Sequence, residues 1–201
     1  SEECAHATNL PTARAQKHGN YRACLCKVLA RVLSPSGRSP ECLNVVSITL
    51  KPSEYATAVY LTSIREFVNR DFGVNDRQMG RDDGFQIGID GLVAEVAVCK
   101  YFNVCPDLSF EPRAGGADCI IKGRRVDVKS TKRGRDRVYI PDWKASNEID
   151  RYIYCYVDFR TVDILGWFAP RDIFRDDNLE PSPREGVNHH VLYLENLRKF
   201  E

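Results

Sequence analysis

The sequence from residue 44 onward predicts an α/β fold, a central mixed β-sheet flanked by helices. Two long segments with apolar residues at helical spacing come first. A block of short alternating segments rich in Val, Ile and Tyr follows, and then one short helix and a last strand. That order places helices against a sheet within one domain.

The elements are read in chain order. "VVSITL" (residues 45–50) is a short strand. "KPSEYATAVYLTSIREFVNRDFG" is a helix with Pro52 near its start, Ser53 as N-cap and Gly73 as its stop. "VNDRQMGRDDG" is a polar loop. "FQIGIDGLVAEVAVCKYFNV" is the most apolar helix of the chain. "DLSF" and "ADCII" read as strands, and "RRVDVKST" is a strand by its alternation. "RVYIP" is a further strand, and "DRYIYCYVDF" and "TVDILGWFA" form a strong pair turning near Arg160. "PRDIF" is a short helix headed by Pro170, and "HHVLYL" is the last strand.

Residues 1–43 are an N-terminal accessory segment with one short helix, in which Tyr21, Cys24, Leu25, Val28, Leu29 and Val32 share a stripe. It holds four of the eight cysteines and two of the four histidines. Cys4, His6, His18, Cys24, Cys26 and Cys42 raise a zinc reading, but no C-x-x-C pair is present and Cys24 and Cys26 face opposite ways on a helix. With no secretory leader read, the cysteines are expected as free thiols and the chain as cytoplasmic. No apolar run approaches the ~20 residues that span a bilayer. Net charge is +1 over 201 residues, so overall charge names no partner. From Lys122 to Arg137, however, eight basic residues face two acidic ones. Such a block is either a solvated loop or a footprint for a polyanion.

The segment "GGADCIIKGRRVDVKSTK" reads as a β-hairpin with charges in unusual places. Asp127, Lys129 and Thr131 share one face of the second strand, opposite Val126, Val128 and Ser130. Asp118 opens the first strand. Neighbouring strands lie ~4.8 Å apart, and two carboxylates that close repel unless a cation sits between them. Mg²⁺ characteristically uses one or two carboxylates plus water and phosphate. Glu95 lies on the apolar helix with Gly88, Gly91, Cys99 and Phe102 along its stripe, so it is expected to be buried. It is then either paired with a basic side chain or part of a charged site. A plain surface ion pair remains the other reading of Asp127 and Lys129.

Together Glu95, Asp118, Asp127 and Lys129 suit phosphodiester hydrolysis. Asp118, Asp127 and the Val128 carbonyl would hold the metal, with Glu95 completing the shell directly or through water. Lys129 would orient or activate the attacking water, or stabilise the pentavalent oxyanion. Lys132, Arg133, Arg135 and Arg137 would neutralise flanking phosphates, and Trp143 is a base-stacking candidate beside them. Trp167, within "ILGWF", reads as core. His189 and His190 point opposite ways on a strand and make a poor metal pair.

These residues resemble the PD-(D/E)XK nuclease superfamily. "GLVAEVAVCKYF" looks like its first helix with the acidic residue, here Glu95. "GGAD" looks like the motif of the first strand aspartate, Asp118, with Ala in place of the proline. "VDVKST" looks like the (D/E)-x-K strand, giving Asp127 and Lys129. The resemblance covers roughly residues 54–168 and implies a restriction-endonuclease-like fold, Mg²⁺ dependence with Mn²⁺ as an alternative ion, and a DNA substrate. It makes residues 44–201 a nuclease-like domain and the chain a metal-dependent deoxyribonuclease. The alternatives are a structure-specific nuclease on junctions, flaps or RNA, and a non-catalytic nucleic-acid-binding protein. Monomer and homodimer are both left open. No G-x-x-x-x-G-K-[ST] is present, so ATP-driven action is not expected.

Overall fold

The computed structural model describes residues 45–74, 83–112, 116–132, 136–145, 148–181 and 187–200. The chain divides into two units, Ser1–Cys42 and Leu43–Glu201, and all the described residues belong to the second. The helix and the Cys/His cluster expected in residues 1–43 lie outside the described residues, as do Arg133 and Arg135.

Two helices supply one layer. α1 (Pro52–Asp71) begins at Lys51, whose N–H donates to the Glu54 carboxylate at 2.6 Å, so the cap is Lys51 and not Ser53. Proline fits the first turn because its missing N–H would have had no helical partner. α2 (Gly84–Phe102) starts from Asp83, whose carboxylate accepts the Phe85 N–H at 3.1 Å, and ends on Asn103 in the left-handed region, φ 54°. The helices approach closely at Gly88, where a Cβ would meet the Thr62 methyl at 2.9 Å. Gly91 meets nothing within 4 Å, so close packing explains one of the two interior glycines and not the other.

The second layer is a five-stranded mixed sheet in the order β1-β6-β5-β3-β2. Its strands are β1 (Val46–Thr49), β2 (Cys119–Ile121), β3 (Arg124–Thr131), β5 (Arg151–Asp158) and β6 (Thr161–Phe168). β3 and β5 run parallel; all other neighbours are antiparallel. β4 (Arg137–Pro141), β8 (Asn188–Tyr193) and β7 (Leu179–Pro181) form a separate three-stranded sheet, whose β7 and β8 follow the short helix α3 (Pro170–Ile173). The expected "DLSF" strand is irregular chain. Its backbone is tied to the helix layer instead: Arg65 donates to the Asp107 carbonyl at 2.6 Å and the Ser109 carbonyl at 3.1 Å. The short β7 had no alternating run to reveal it.

Each face of the five-stranded sheet carries a core. Val126, Val128, Ile153, Cys155, Val157, Val162 and Ile164 pack under the helices with Val93, Ala94 and Val98. Tyr152, Tyr154 and Phe168 pack on the other side against Val138, Ile140 and Leu192 of the second sheet. Strict alternation would put Phe168 on the same face as Ile164. A bulge intervenes: Cys155 pairs Ile164 while Tyr154 pairs Gly166, so β6 carries one extra residue. The strand turns over, and Phe168 stacks on Tyr152 with centroids 5.2 Å apart and planes 13° apart. No helix among the described residues is long and apolar enough to cross a membrane.

Candidate active site

The hairpin between β2 and β3 closes through Lys122 and Gly123, both at positive φ (49° and 72°), the pairing that a tight two-residue connection requires. Because β2 is only three residues long, its ladder with β3 ends at Cys119 opposite Val126. Asp118 continues it by other means. Its N–H donates to the Val126 carbonyl at 2.8 Å, and its Oδ2 accepts the Val128 N–H at 2.7 Å. The N–H and C=O of one strand residue point to the same edge, so the Val128 carbonyl faces the edge that Asp118 covers. Asp118 is 6 % exposed, a buried carboxylate whose burial is offset in part by the Val128 N–H.

Asp127 and Lys129 lie on the face of β3 turned to the second sheet. The Lys129 amine donates to Asp127 Oδ1, and both side chains are mostly buried. Across the parallel ladder Asp127 pairs with Tyr152, and Lys129 Nζ stands 5.8 Å from the Tyr152 ring centroid. Burial, then the Asp127 charge, push the Tyr152 hydroxyl above the ordinary tyrosine range.

A second amine joins this group from an unexpected element. Lys144 ends the 3-10 turn Asp142–Lys144 after β4. The Lys129 ammonium is the main cause holding its amine below the usual lysine value, with loss of surrounding water second; Asp127 and then Asp118 act in the opposite sense. Lys129, Asp127, Asp118 and Lys144 are thus within electrostatic reach of one another. The polar run "PDWKASNE" read only as a loop gave no sign of this, since it reaches the site through the second sheet.

Glu95 is buried, as its apolar stripe required, at 9 % exposure. Its basic neighbour is Arg65 of α1, with Nη1 3.6 Å from Oε2, and not Lys129. One turn along α2, Cys99 is hydrogen-bonded to Cys119, which holds its thiol above the ordinary range; Glu95 and Asp118 both add to that shift. The two carboxylates therefore flank the thiol pair from the helix and the strand. Among the described residues no three His, Cys, Asp or Glu side chains converge as a metal-holding group.

The basic residues are scattered in role. Lys132 pairs with the buried Asp90 at 2.8 Å, and Gln86 donates to the same carboxylate at 2.9 Å. Arg137 lies in the second sheet between Asp136 and Glu180, 3.5 Å from each, and 5.0 Å from the Tyr193 ring. Trp143 lies on the same 3-10 turn as Lys144. Trp167 is partly buried and packed against the helix-side core, between the guanidinium groups of Arg151 and Arg198 at 4.3 and 4.9 Å. His189 and His190 face opposite sides of β8, next to Tyr139 and Phe174 respectively.

No family model, curated protein or solved structure matches the chain.

Proposed function

We propose that the chain is a Mg²⁺-dependent nuclease that hydrolyses phosphodiester bonds in DNA on a restriction-endonuclease-like scaffold. One observation carries the reading. Asp118 is folded onto the Val128 position of β3, beside the Asp127 and Lys129 pair, so an acid, a second acid and an amine meet on one strand. Two carboxylates with a strand carbonyl fit Mg²⁺, which takes the rest of its octahedron from water and phosphate. Asp118, Asp127 and the Val128 carbonyl would hold the ion. Mg²⁺, when bound, supplies positive charge that draws electron density from the scissile phosphate.

The chain's own groups do the rest. Lys129 leaves Asp127 to donate hydrogen bonds to the attacking water and to the phosphate oxygens as they gain charge. Lys144 adds a second positive charge on the same side. Tyr152 and Phe168 form the apolar floor that keeps bulk water away and lowers the local dielectric. Glu95 acts from the second rank, by holding Arg65 and the chain before Asp118 in place.

The test is incubation with supercoiled, linear duplex and single-stranded DNA in Mg²⁺, Mn²⁺ and EDTA. Cleavage should require the divalent ion and vanish in Asp127→Ala while the circular dichroism spectrum stays native. A wild-type chain that retards DNA in a gel but cuts none of these substrates would make this a binding module instead.

A further inference from the structure

At the end of the parallel pair, away from the acid and amine, lies an open cleft of about 440 Å³. Tyr55 of α1, Gln86 of α2, Lys132 after β3 and Tyr156, Asp158 and Phe159 of the β5–β6 hairpin line it. That volume falls within the ~300–1,000 Å³ of small-ligand pockets. Ligands of α/β sheets settle beyond the carboxyl ends of parallel strands, and this cleft occupies that position for β3 and β5.

Its chemistry is that of a stacking platform. Phe159 is 60 % exposed, and its ring meets Tyr55 with centroids 4.7 Å apart and planes inclined by 54°. The Arg160 guanidinium lies 5.6 Å from the same ring. Phe159 also holds φ 54°, a left-handed conformation that a bulky residue rarely adopts and that costs stability. A tight turn is better served there by Gly or Asn, which avoid that cost. The turn is nonetheless held firmly: the Leu50 N–H donates to the Arg160 carbonyl at 2.9 Å. The molecule thus keeps a large apolar ring in water, on a pinned and strained turn, with the Arg160 guanidinium beside it and Lys132 lining the same cleft.

We infer that this cleft takes an unstacked nucleobase from single-stranded DNA, stacked on the exposed Phe159 ring with Tyr55 against its edge, and with Arg160, joined by Lys132 when it exchanges Asp90 for phosphate, beside the adjoining phosphates. Lys132 lies three residues from Lys129, about 10 Å along an extended strand at ~3.3 Å per residue. A cleft at that spacing is within the roughly 4–16 nucleotides that one single-strand site covers. In a duplex the bases stay paired and stacked, and none is free to lie on the ring. The inference rests on the proposed nuclease activity in that it gives its substrate class: single strands, flaps or frayed ends over intact duplex.

Binding and cutting test it separately. In the full chain carrying Asp127→Ala, fluorescence anisotropy of a labelled twelve-base oligo-dT should report binding, with an unlabelled hairpin duplex as a weaker competitor. Phe159→Ala in that background should weaken oligo-dT binding about tenfold, the usual loss per stacked base. Thermal melting should fall only slightly, since alanine keeps the Cβ that strains the turn and loses only the contact of a mostly exposed ring. Tyr55→Leu, which keeps the apolar contact with the helix-side core, should weaken oligo-dT binding severalfold. Unchanged oligo-dT affinity in both variants, or equal affinity for oligo-dT and duplex, overturns the inference. A wild-type chain that never cuts yet binds oligo-dT through Phe159 defeats the nuclease reading and leaves the cleft standing. One that cuts in Mg²⁺ with no dependence on Phe159 does the reverse.

Discussion

Asp118 and Val128 are ten residues apart in sequence and joined by one hydrogen bond of 2.7 Å, from the Val128 N–H to Asp118 Oδ2. A carboxylate thus replaces the backbone carbonyl that a longer β2 would have offered. It makes Asp118 both a structural acceptor and a charge beside Asp127. Asp118→Asn keeps an acceptor and should fold with little loss, whereas Asp118→Ala strands a buried N–H and should lose about 1–3 kcal/mol. Urea denaturation separates the two variants, and neither should cleave DNA in Mg²⁺.

Lys144 provides a pH signature. Its folded amine is held below the ordinary lysine value of ~10.4, chiefly by Lys129. Between the folded and unfolded values the unfolded chain binds more protons than the native one, so stability rises with pH across that window. Lys129→Met removes the main cause. It should return Lys144 toward its ordinary value and flatten that rise. NMR titration of the Lys144 side chain, with urea midpoints at stepped alkaline pH, measures both.

Arg65 is the residue on which Glu95 depends. It spans Glu95 at 3.6 Å and the carbonyls of Asp107 and Ser109. Removing one partner of a buried pair costs about 3–5 kcal/mol in dry interiors and less where some water reaches, as here. Arg65→Met should therefore destabilise by roughly 2–4 kcal/mol. Glu95→Gln should cost less and leave Mg²⁺ affinity by calorimetry close to wild type. A loss of Mg²⁺ binding as deep as that of Asp127→Ala would place Glu95 on the ion after all.

Gly166 allows the carboxyl-terminal chain to close on β6. It holds φ 156°, and a Cβ there would meet the Arg198 carbonyl at 2.8 Å and the Leu197 Cβ at 2.9 Å. Arg198 and Trp167 exchange backbone hydrogen bonds of 2.8 and 3.0 Å at this point. Gly166→Ala should destabilise by about 2–4 kcal/mol through overpacking and a disfavoured backbone. Differential scanning calorimetry should show the lowered melting temperature, with faster amide exchange at Trp167 and Arg198.

Much of this architecture was legible in the residues. Capping and stop residues gave α1, apolar content gave α2, period-two alternation gave β3, richness in Tyr, Val and Ile gave β5 and β6, and the apolar stripe around Glu95 foretold its burial. Local patterning could say nothing about what meets across long separations. The partner of Glu95 is thirty residues upstream on another helix. Lys144 arrives through a sheet that the sequence did not separate from the first. Tyr152 looked like one more strand aromatic until the parallel register put it opposite Asp127. The turnover of β6 depends on one extra residue, which an alternating pattern conceals. "DLSF" is irregular because its carbonyls at Asp107 and Ser109 accept from Arg65 and its Ser109 N–H donates to the Asp107 side chain, leaving one backbone bond, Asp107 N–H to the Asp118 carbonyl, toward the sheet.

The one parallel pairing among the described residues gives the two halves of the candidate site different folding clocks. Asp118 reaches Val128 across a hairpin of ten residues, a contact of the kind that closes in about 1–10 μs. Tyr152 meets Asp127 across an intervening chain that supplies a strand of the other sheet, and such non-local contacts form slowly. The carboxylates and the lysine thus assemble early, on a nascent hairpin, and receive their apolar floor late. A chain caught between those events would carry its charged groups in open water, where they are mutually screened and chemically idle.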